Sequence, residues 1–394
     1  MSDRRDPVIV SAVRTAIGKA PNGALRQTRP DDLAALVLSE ALRRAPGVEP
    51  AAIDDVILGC AMPEAEQGLN VARIASLRAG LPVTASAVTV NRFCASGLEA
   101  IALGADRIRS GAADVVLAGG TESMSLVPMG GHKIAPNPTL VARYPDAYLT
   151  TGLGAENHAR EGRLPREAQD AFALRSHQRA LAAIDAGRFQ DEIVAVDVEI
   201  VEPGANGAPV TRTRRFDTDE GPRRDTSLEA LARLRPAFQQ RGTVTAGNSS
   251  QTSDGAAAVV MLSRARAESL GLRPLAHVVA YATAGVEPER FGLGPVPATQ
   301  KLLQRTGRRL DEIDLVEINE AFAAQVLACL PSLPVDDAKL NVNGGGIALG
   351  HPLGCTGARL TTTLLYEMAR RDVHRGIVTL CVGGGMGAAA LFER

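Results

Sequence analysis

One arrangement of short strands and helices occurs twice in this chain, and a chain built that way must fold as two copies of one half. Asp54–Gly59 (Asp-Asp-Val-Ile-Leu-Gly) is answered by Ile313–Ile318 (Ile-Asp-Leu-Val-Glu-Ile), and Val115–Gly120 by Val378–Gly384. One strand closes each copy: Asp254–Val260 (Asp-Gly-Ala-Ala-Ala-Val-Val) and Met386–Phe392 (Met-Gly-Ala-Ala-Ala-Leu-Phe). Within each copy, β-branched apolar runs alternate with Ala- and Leu-rich helical windows, the pattern of an α/β protein. Strands are expected at Val8–Val13, Asp55–Leu58, Ala87–Val90 and Asp114–Ala118, with helices at Asp31–Arg43 and Ala95–Arg109. The second copy predicts strands at His277–Tyr281, Asp314–Ile318, Ala338–Val342 and Ile377–Val382. There the last two strands are almost contiguous, which predicts a hairpin. In the first copy, Thr121–Ser253 intervenes, with helices of its own at Pro165–Ala186 and Leu228–Leu234. The expected organisation is residues 1–120 plus 254–272 as one half, 121–253 as an inserted module and 273–394 as the other half.

Composition narrows the function classes. Across 394 residues, 43 Lys and Arg balance 44 Asp and Glu, so no global basic field exists to hold nucleic acid or an anionic membrane. With no Trp, 4 Tyr and 8 Phe, stacking platforms for single strands are lacking too. The longest apolar run, Ala256–Leu262, is far short of the ~20 residues of a spanning helix. The charged start, Met1–Asp6, leads directly into a strand with no signal-peptide core, so a cytoplasmic protein is expected. Cys60, Cys94, Cys329, Cys355 and Cys381 are odd in number and widely spaced, which argues for thiols rather than a disulfide framework or a metal site. His132, His158, His177, His277 and His374 show no metal-ligand spacing either.

Four positions carry candidate chemistry. In Val90–Ala100 (Val-Asn-Arg-Phe-Cys-Ala-Ser-Gly-Leu-Glu-Ala) a strand ends and a helix starts at or just after Cys94, where helix N–H groups would favour a thiolate. A buried core cysteine is the alternative. Gly344–Gly357 lies at the equivalent point of the second copy and sets His351 in a glycine-lined turn that leaves room for a substrate; a core imidazole satisfied by carbonyls is the alternative. Cys381 ends a strand before Gly383–Gly385 and faces N–H groups suited to an oxyanion, or is a core sulfur. Asn319, in Asn319–Phe322 (Asn-Glu-Ala-Phe), either serves chemistry or caps a helix. Asn341 and Asn343 read as turn formers, and Cys329 and Cys355 as structural thiols.

Taken together, Asn91–Gly97, Ala118–Met124, Arg235–Gly255, Asn319–Phe322, Asn343–Gly357 and Cys381–Gly387 make the chain resemble the thiolase family of acyl-CoA C-acyltransferases over essentially its full length. The resemblance implies two duplicated five-stranded mixed sheets in an αβαβα layering, plus an inserted loop domain. It implies Cys94 as the acyl-accepting nucleophile, His351 as its base and Cys381 as a second acid/base. A water held by Asn319 with His351 would serve one carbonyl oxygen, and the N–H groups of Cys94 and Gly383 the other. Such an enzyme cleaves a 3-ketoacyl-CoA with CoA; two proton-transfer tasks need two titratable groups. Acyl-CoA and CoA are then substrates, and neither cofactor nor metal is expected. A homodimer or homotetramer is implied, and association with a hydratase/dehydrogenase subunit is left open.

CoA recognition would fall on the insertion. Thr211–Arg215 (Thr-Arg-Thr-Arg-Arg), Arg223 and Arg224 offer cations for phosphates, Arg223 and Ser250 match family positions near CoA, and solvated loop arginines are the alternative. At the acyl pocket, the short-chain biosynthetic members resemble Phe-His-Met-Gly-x-x-Ala-Glu-Asn, whereas here Thr150 and Thr151 replace His and Met within Tyr148–Asn157. Gln251–Gly255 is similar to the degradative branch, and Phe291 stands where a Met is usual; Phe322 completes the pocket candidates. This predicts medium or longer 3-ketoacyl-CoA over acetoacetyl-CoA. The rivals are an acetoacetyl-CoA thiolase, a decarboxylating or hydroxymethylglutaryl-type condensing enzyme, a cysteine hydrolase built on Cys94, His351 and Asn319, and a non-catalytic acyl-CoA binding protein.

Overall fold

The structure, a computed structural model, describes residues 4–203, 206 and 208–394, so residues 1–3 of the charged start lie outside the described residues. The strands are β1 (Pro7–Thr15), β2 (Gly18–Lys19), β3 (Asp55–Gly59), β4 (Ser86–Val90), β5 (Val115–Ser123), β6 (Ile193–Val194), β7 (Val196–Pro203), β8 (Pro209–Phe216) and β9 (Ser253–Ser263). The second half supplies β10 (Ala276–Gly285), β11 (Leu315–Ile318), β12 (Arg375–Val382) and β13 (Met386–Glu393). Their order is β4-β3-β5-β9-β1 followed by β10-β13-β12-β11. The duplication is plain in the pairing: β3 with β5 and β11 with β12 are parallel, while β5 with β9 and β12 with β13 are antiparallel. The last of these is the expected hairpin. Among the described residues two ladder pairs, Val8 with His277 and Ile9 with Ala276, join the halves edge to edge.

The fifth strand of the second sheet is reduced to a trace. Instead of a strand over Ala338–Val342, Leu340 makes a single parallel bridge to Val316. Asn341 explains the loss: its backbone is left-handed (φ 44°), and its side-chain amide donates to Ile318 O and accepts from Ile318 N–H, both at 2.9 Å. A side chain thus satisfies the edge that a strand would have paired.

Apolar packing defines the layers. Helices Pro30–Arg43 and Val71–Arg78 cover one face of the first sheet, through Leu33, Val37 and Leu38 against Val56, Leu58 and Val260. The inner core holds Leu98, Ile101 and Ile108 from helix Ser96–Ser110, Leu360 and Leu364 from helix Leu353–Arg371, and side chains of both sheets. Ala298, Leu302 and Val326 then pack the outer face of the second sheet. The order is helix, sheet, helix, sheet, helix. Glycine is required where the two central helices cross: a Cβ on Gly97 would lie 2.8 Å from Gly354 O, and one on Gly357 2.3 Å from Leu98 N. These helices lead out of the Cys94 and His351 turns, so their contact sets the two turns side by side.

Between β5 and β9 the chain forms helices Thr151–Glu161, Arg166–Asp185 and Leu228–Ala232 and the antiparallel ribbon β7–β8. Thr211–Arg215 lies on β8 rather than in a loop, because Val196, Val198 and Phe216 bury the root of the ribbon against the first half while the arginines face solvent.

Candidate active site

The turn carrying Cys94 is built from its neighbours. Phe93 takes a left-handed conformation (φ 42°), its N–H donates to Asn91 Oδ1 at 2.8 Å, and Asn91 Nδ2 donates to Ala61 O at 3.0 Å. Ser96 Oγ accepts from Arg92 N–H and donates to Phe93 O at 2.7 Å, which closes the turn before the helix starts. Cys94 is 8% exposed and packs against Ala61 and Leu353. Burial pushes its thiol up to about 11, although the N–H groups of Gly383 and of Cys94 itself reach the sulfur and pull the other way. The resting group is therefore a thiol, not the thiolate that a helix N-terminus alone would favour.

His351 is buried two residues before Leu353. Thr356 Oγ1 donates to Pro352 O at 2.8 Å, so its contact of 2.6 Å with His351 Nδ1 is one in which Nδ1–H donates. Nε2 is then the basic nitrogen, and Asn319 Nδ2 lies 3.2 Å from it. Burial, and secondarily the Arg359 charge, drives the imidazole down to about 3, so it rests neutral. Asn319 is no cap: the helix begins at Ala323, behind Phe322. Its Oδ1 is buried with no partner among the described residues.

Cys381 sits at the end of β12, fully buried and close enough to Cys94 and Cys329 for their charges to act on it. Burial first, then those thiols, hold its proton on well above the ordinary cysteine range. Cys381 shares an apolar cluster with Phe291, Phe322, Ala321 and Ala155. Thr151 joins from above: its Cγ2 lies 3.8 Å from where a Cβ on Gly383 would be. Ser250 N–H donates to Ala321 O at 2.9 Å, which places it beside Phe322. Arg223 stands apart from these groups. Its guanidinium pairs with Asp225 at 3.1 Å, its N–H donates to His177 Nδ1 at 3.1 Å, and Arg224 pairs with Asp185.

Sequence reasoning missed Glu122. Its buried carboxylate accepts from the N–H groups of Ala61 (2.7 Å), Met62 (3.2 Å) and Gly354 (2.7 Å), and from Gln67 Nε2. It thereby ties the floor under Cys94 to the helix that carries Thr356. A charged residue inside the otherwise uncharged, fully buried strand Val115–Ser123 was the available signal. Burial raises its pKa against those four donors.

The family models described as thiolase, N-terminal domain and thiolase, C-terminal domain match residues 7–265 and 272–394. The chain belongs to the thiolase family. It is 52% identical to a 3-ketoacyl-CoA thiolase of Bacillus subtilis (strain 168), covering 99% of each chain. It is 47% identical to an acetyl-CoA acetyltransferase of Pseudomonas aeruginosa, covering 99% of this chain and all of that one. The crystal structure of the Bacillus anthracis acetyl-CoA acetyltransferase superposes with a TM-score of 0.88 at 43% identity, over 98% of both chains. This thiolase is thus similar to relatives bearing two different substrate names, and the choice between them rests on its own pocket.

Proposed function

We propose that this thiolase cleaves 3-ketoacyl-CoA with CoA to acetyl-CoA and a shortened acyl-CoA. The observation that carries the reading is that Cys94 and Cys381, two thiols that rest protonated, share one site with a neutral imidazole. His351 Nε2 takes the Cys94 proton as sulfur bonds to the keto carbon; with the thiol near 11 and the imidazole near 3, no ion pair waits in advance. The bond between C2 and C3 then breaks, the acyl group stays on Cys94, and the departing enolate takes a proton from Cys381. The Cys381 thiolate next removes the proton of an incoming CoA thiol, whose sulfur attacks the thioester, and Cys94 recovers its proton from His351. A hydrolase using water would have no task for Cys381. The Cys94 and Gly383 N–H groups stabilise the thioester oxyanion, and Asn319 with a water and His351 stabilises the other oxygen.

CoA binds across Ser250 and the Arg223 segment, which reaches the site through the Gln251 amide donating to Gly221 O at 3.0 Å. The acyl chain lies against Thr151, Phe291 and Phe322, and the small threonine at Gly383 leaves room for a tail longer than acetoacetyl. The protein acts as a cytoplasmic homodimer or homotetramer. Among the described residues no helix is long and apolar enough to cross a membrane, and the free edge of β4 is the supporting feature for association.

The test is thiolysis over a ladder of 3-ketoacyl-CoA lengths, with mass spectrometry of the Cys94 peptide. We expect an acyl adduct on Cys94, none in Cys94→Ala, and rates that rise beyond four carbons by up to about fourfold per buried CH2. A rate that peaks at four carbons and falls steadily would assign an acetoacetyl-CoA thiolase instead.

A further inference from the structure

One stripe of helix Thr151–Glu161 runs from the reaction centre to a buried imidazole that the chemistry above does not use. Thr151, Gly154 and His158 are spaced three and four residues apart, so they share a face. Thr151 stands over Gly383, as described. At Gly154 a Cβ would lie 2.8 Å from the Phe291 ring, so glycine there lets the ring pack onto the helix backbone. At the far end, His158 is 2% exposed, and its ring centroid is 5.8 Å from that of Phe291. Gly292 N–H donates to His158 Nε2 at 3.0 Å. Because Nε2 accepts, the imidazole is neutral there, with its proton on Nδ1.

The residue that follows Phe291 is gripped at both its N–H and its carbonyl. Gly292 O accepts from Gln325 Nε2 at 3.3 Å and from Cys329 Sγ at 3.2 Å, while its N–H is held by His158. A Cβ at Gly292 would fall 2.4 Å from His158 Nε2, so the backbone approaches the ring as closely as only glycine allows. Asn157 Nδ2 adds a bond to Glu289 O at 3.2 Å. Phe291 in turn meets Phe322 edge to face at 6.4 Å, and Phe322 meets Phe238 at 5.8 Å. The grip on Gly292 is therefore passed to the aromatic wall next to Cys381.

We propose that His158 is a positioning residue for substrate length: by accepting the Gly292 N–H it fixes Phe291 as the wall of the acyl pocket. The inference rests on the reading that Phe291 and Phe322 face the acyl chain. It predicts an effect on discrimination between chain lengths and none on the acylation of Cys94 by acetyl-CoA, since His158 touches neither cysteine nor His351.

The experiment compares wild type, His158→Leu and His158→Gln by thiolysis of four- to twelve-carbon 3-ketoacyl-CoA, with the rate of Cys94 acylation by acetyl-CoA measured alongside. The leucine fills similar volume without an acceptor, and the Gln Oε1 can take the place of Nε2. In His158→Leu the length profile should flatten, the ratio of kcat/KM between the best substrate and the four-carbon or twelve-carbon extreme shrinking about fourfold, the worth of one CH2 contact. The change should lie in KM, the acetyl-CoA rate should be kept, and His158→Gln should restore the profile. An unchanged profile in folded His158→Leu overturns the proposal, as does an equal loss at every length, or a Gln form that behaves like the Leu form. If His158→Leu does not fold, His158→Asn, whose shorter amide stops short of Gly292, takes its place under the same criteria. A wild type that peaks at four carbons refutes the longer-chain reading, whereas the flattening is judged on whichever profile the wild type shows.

Discussion

At Cys94 and Cys381 the same force, burial, has been given two different escapes. Gly383 and Cys94 turn N–H groups onto the first sulfur, which holds its rise to about 11, whereas Cys381 has neighbouring thiols that push it further. The N–H groups at the first sulfur favour the thiolate that a nucleophile must become, and the neighbouring thiols at the second favour holding a proton until an enolate needs one. Cys381→Ser should therefore still accept an acyl group from a simple acyl-CoA while carbon–carbon cleavage falls roughly 100-fold or more. Separate assays of the two half-reactions check this, and an equal loss in both would refute the division of labour. The turns that hold these thiols were legible in the sequence, but the burial that sets their protonation was not. A helix start at Cys94 suggested a thiolate because sequence shows the dipole and hides the desolvation that outweighs it.

Among the elements, those with a strong period were legible. The helix expected at Ala95–Arg109 forms at Ser96–Ser110, and the β12–β13 hairpin forms where two apolar runs nearly touch. What failed was set by partners outside the segment itself. Asn341 displaces a strand by binding Ile318, and Thr211–Arg215 becomes a strand because β7 lies opposite it. The edge strand β4 carries a further consequence. Near it Leu69 is 94% and Val83 76% exposed; Asn70, next to Leu69, donates Nδ2 to Ala87 O on the edge, and Arg73 of helix Val71–Arg78 donates to Val83 O. An open edge beside exposed apolar residues calls for cover. If the proposed association uses this edge, Val83→Asp should shift the protein in light scattering toward the 41.2 kDa of one chain, with little effect on folding because the side chain is already in water. An unchanged oligomer would move the interface elsewhere.

Over the whole molecule, the burial that shapes the site also gives stability two opposing pH dependences. His158 and His177 are held down to about 4 and His351 to about 3, in each case chiefly by burial. Between those values and the ordinary 6.5 the unfolded chain binds more protons than the folded one, so stability falls as pH drops through that range. Glu317 has the opposite sign. Burial raises it to about 8 despite the Arg359 charge, so the folded chain holds the extra proton and stability falls as pH rises from 4.5 toward 8. Neither property could be read from the sequence, because His158 and His177 are buried by contacts of the inserted helices with Phe291, Gly292 and Arg223, and Glu317 and His351 by the packing around helix Leu353–Arg371. His177→Gln keeps an acceptor for the Arg223 N–H but cannot titrate. Thermal unfolding should show the gap between wild type and this variant move in the variant's favour as pH falls from 6.5 to 4, by at most ~3 kcal/mol. Glu317→Gln should gain on wild type in the other direction, as pH rises from 5 to 8. Parallel curves for either variant would mean that its parent group titrates alike in the folded and unfolded chain, and that burial is not what sets its charge.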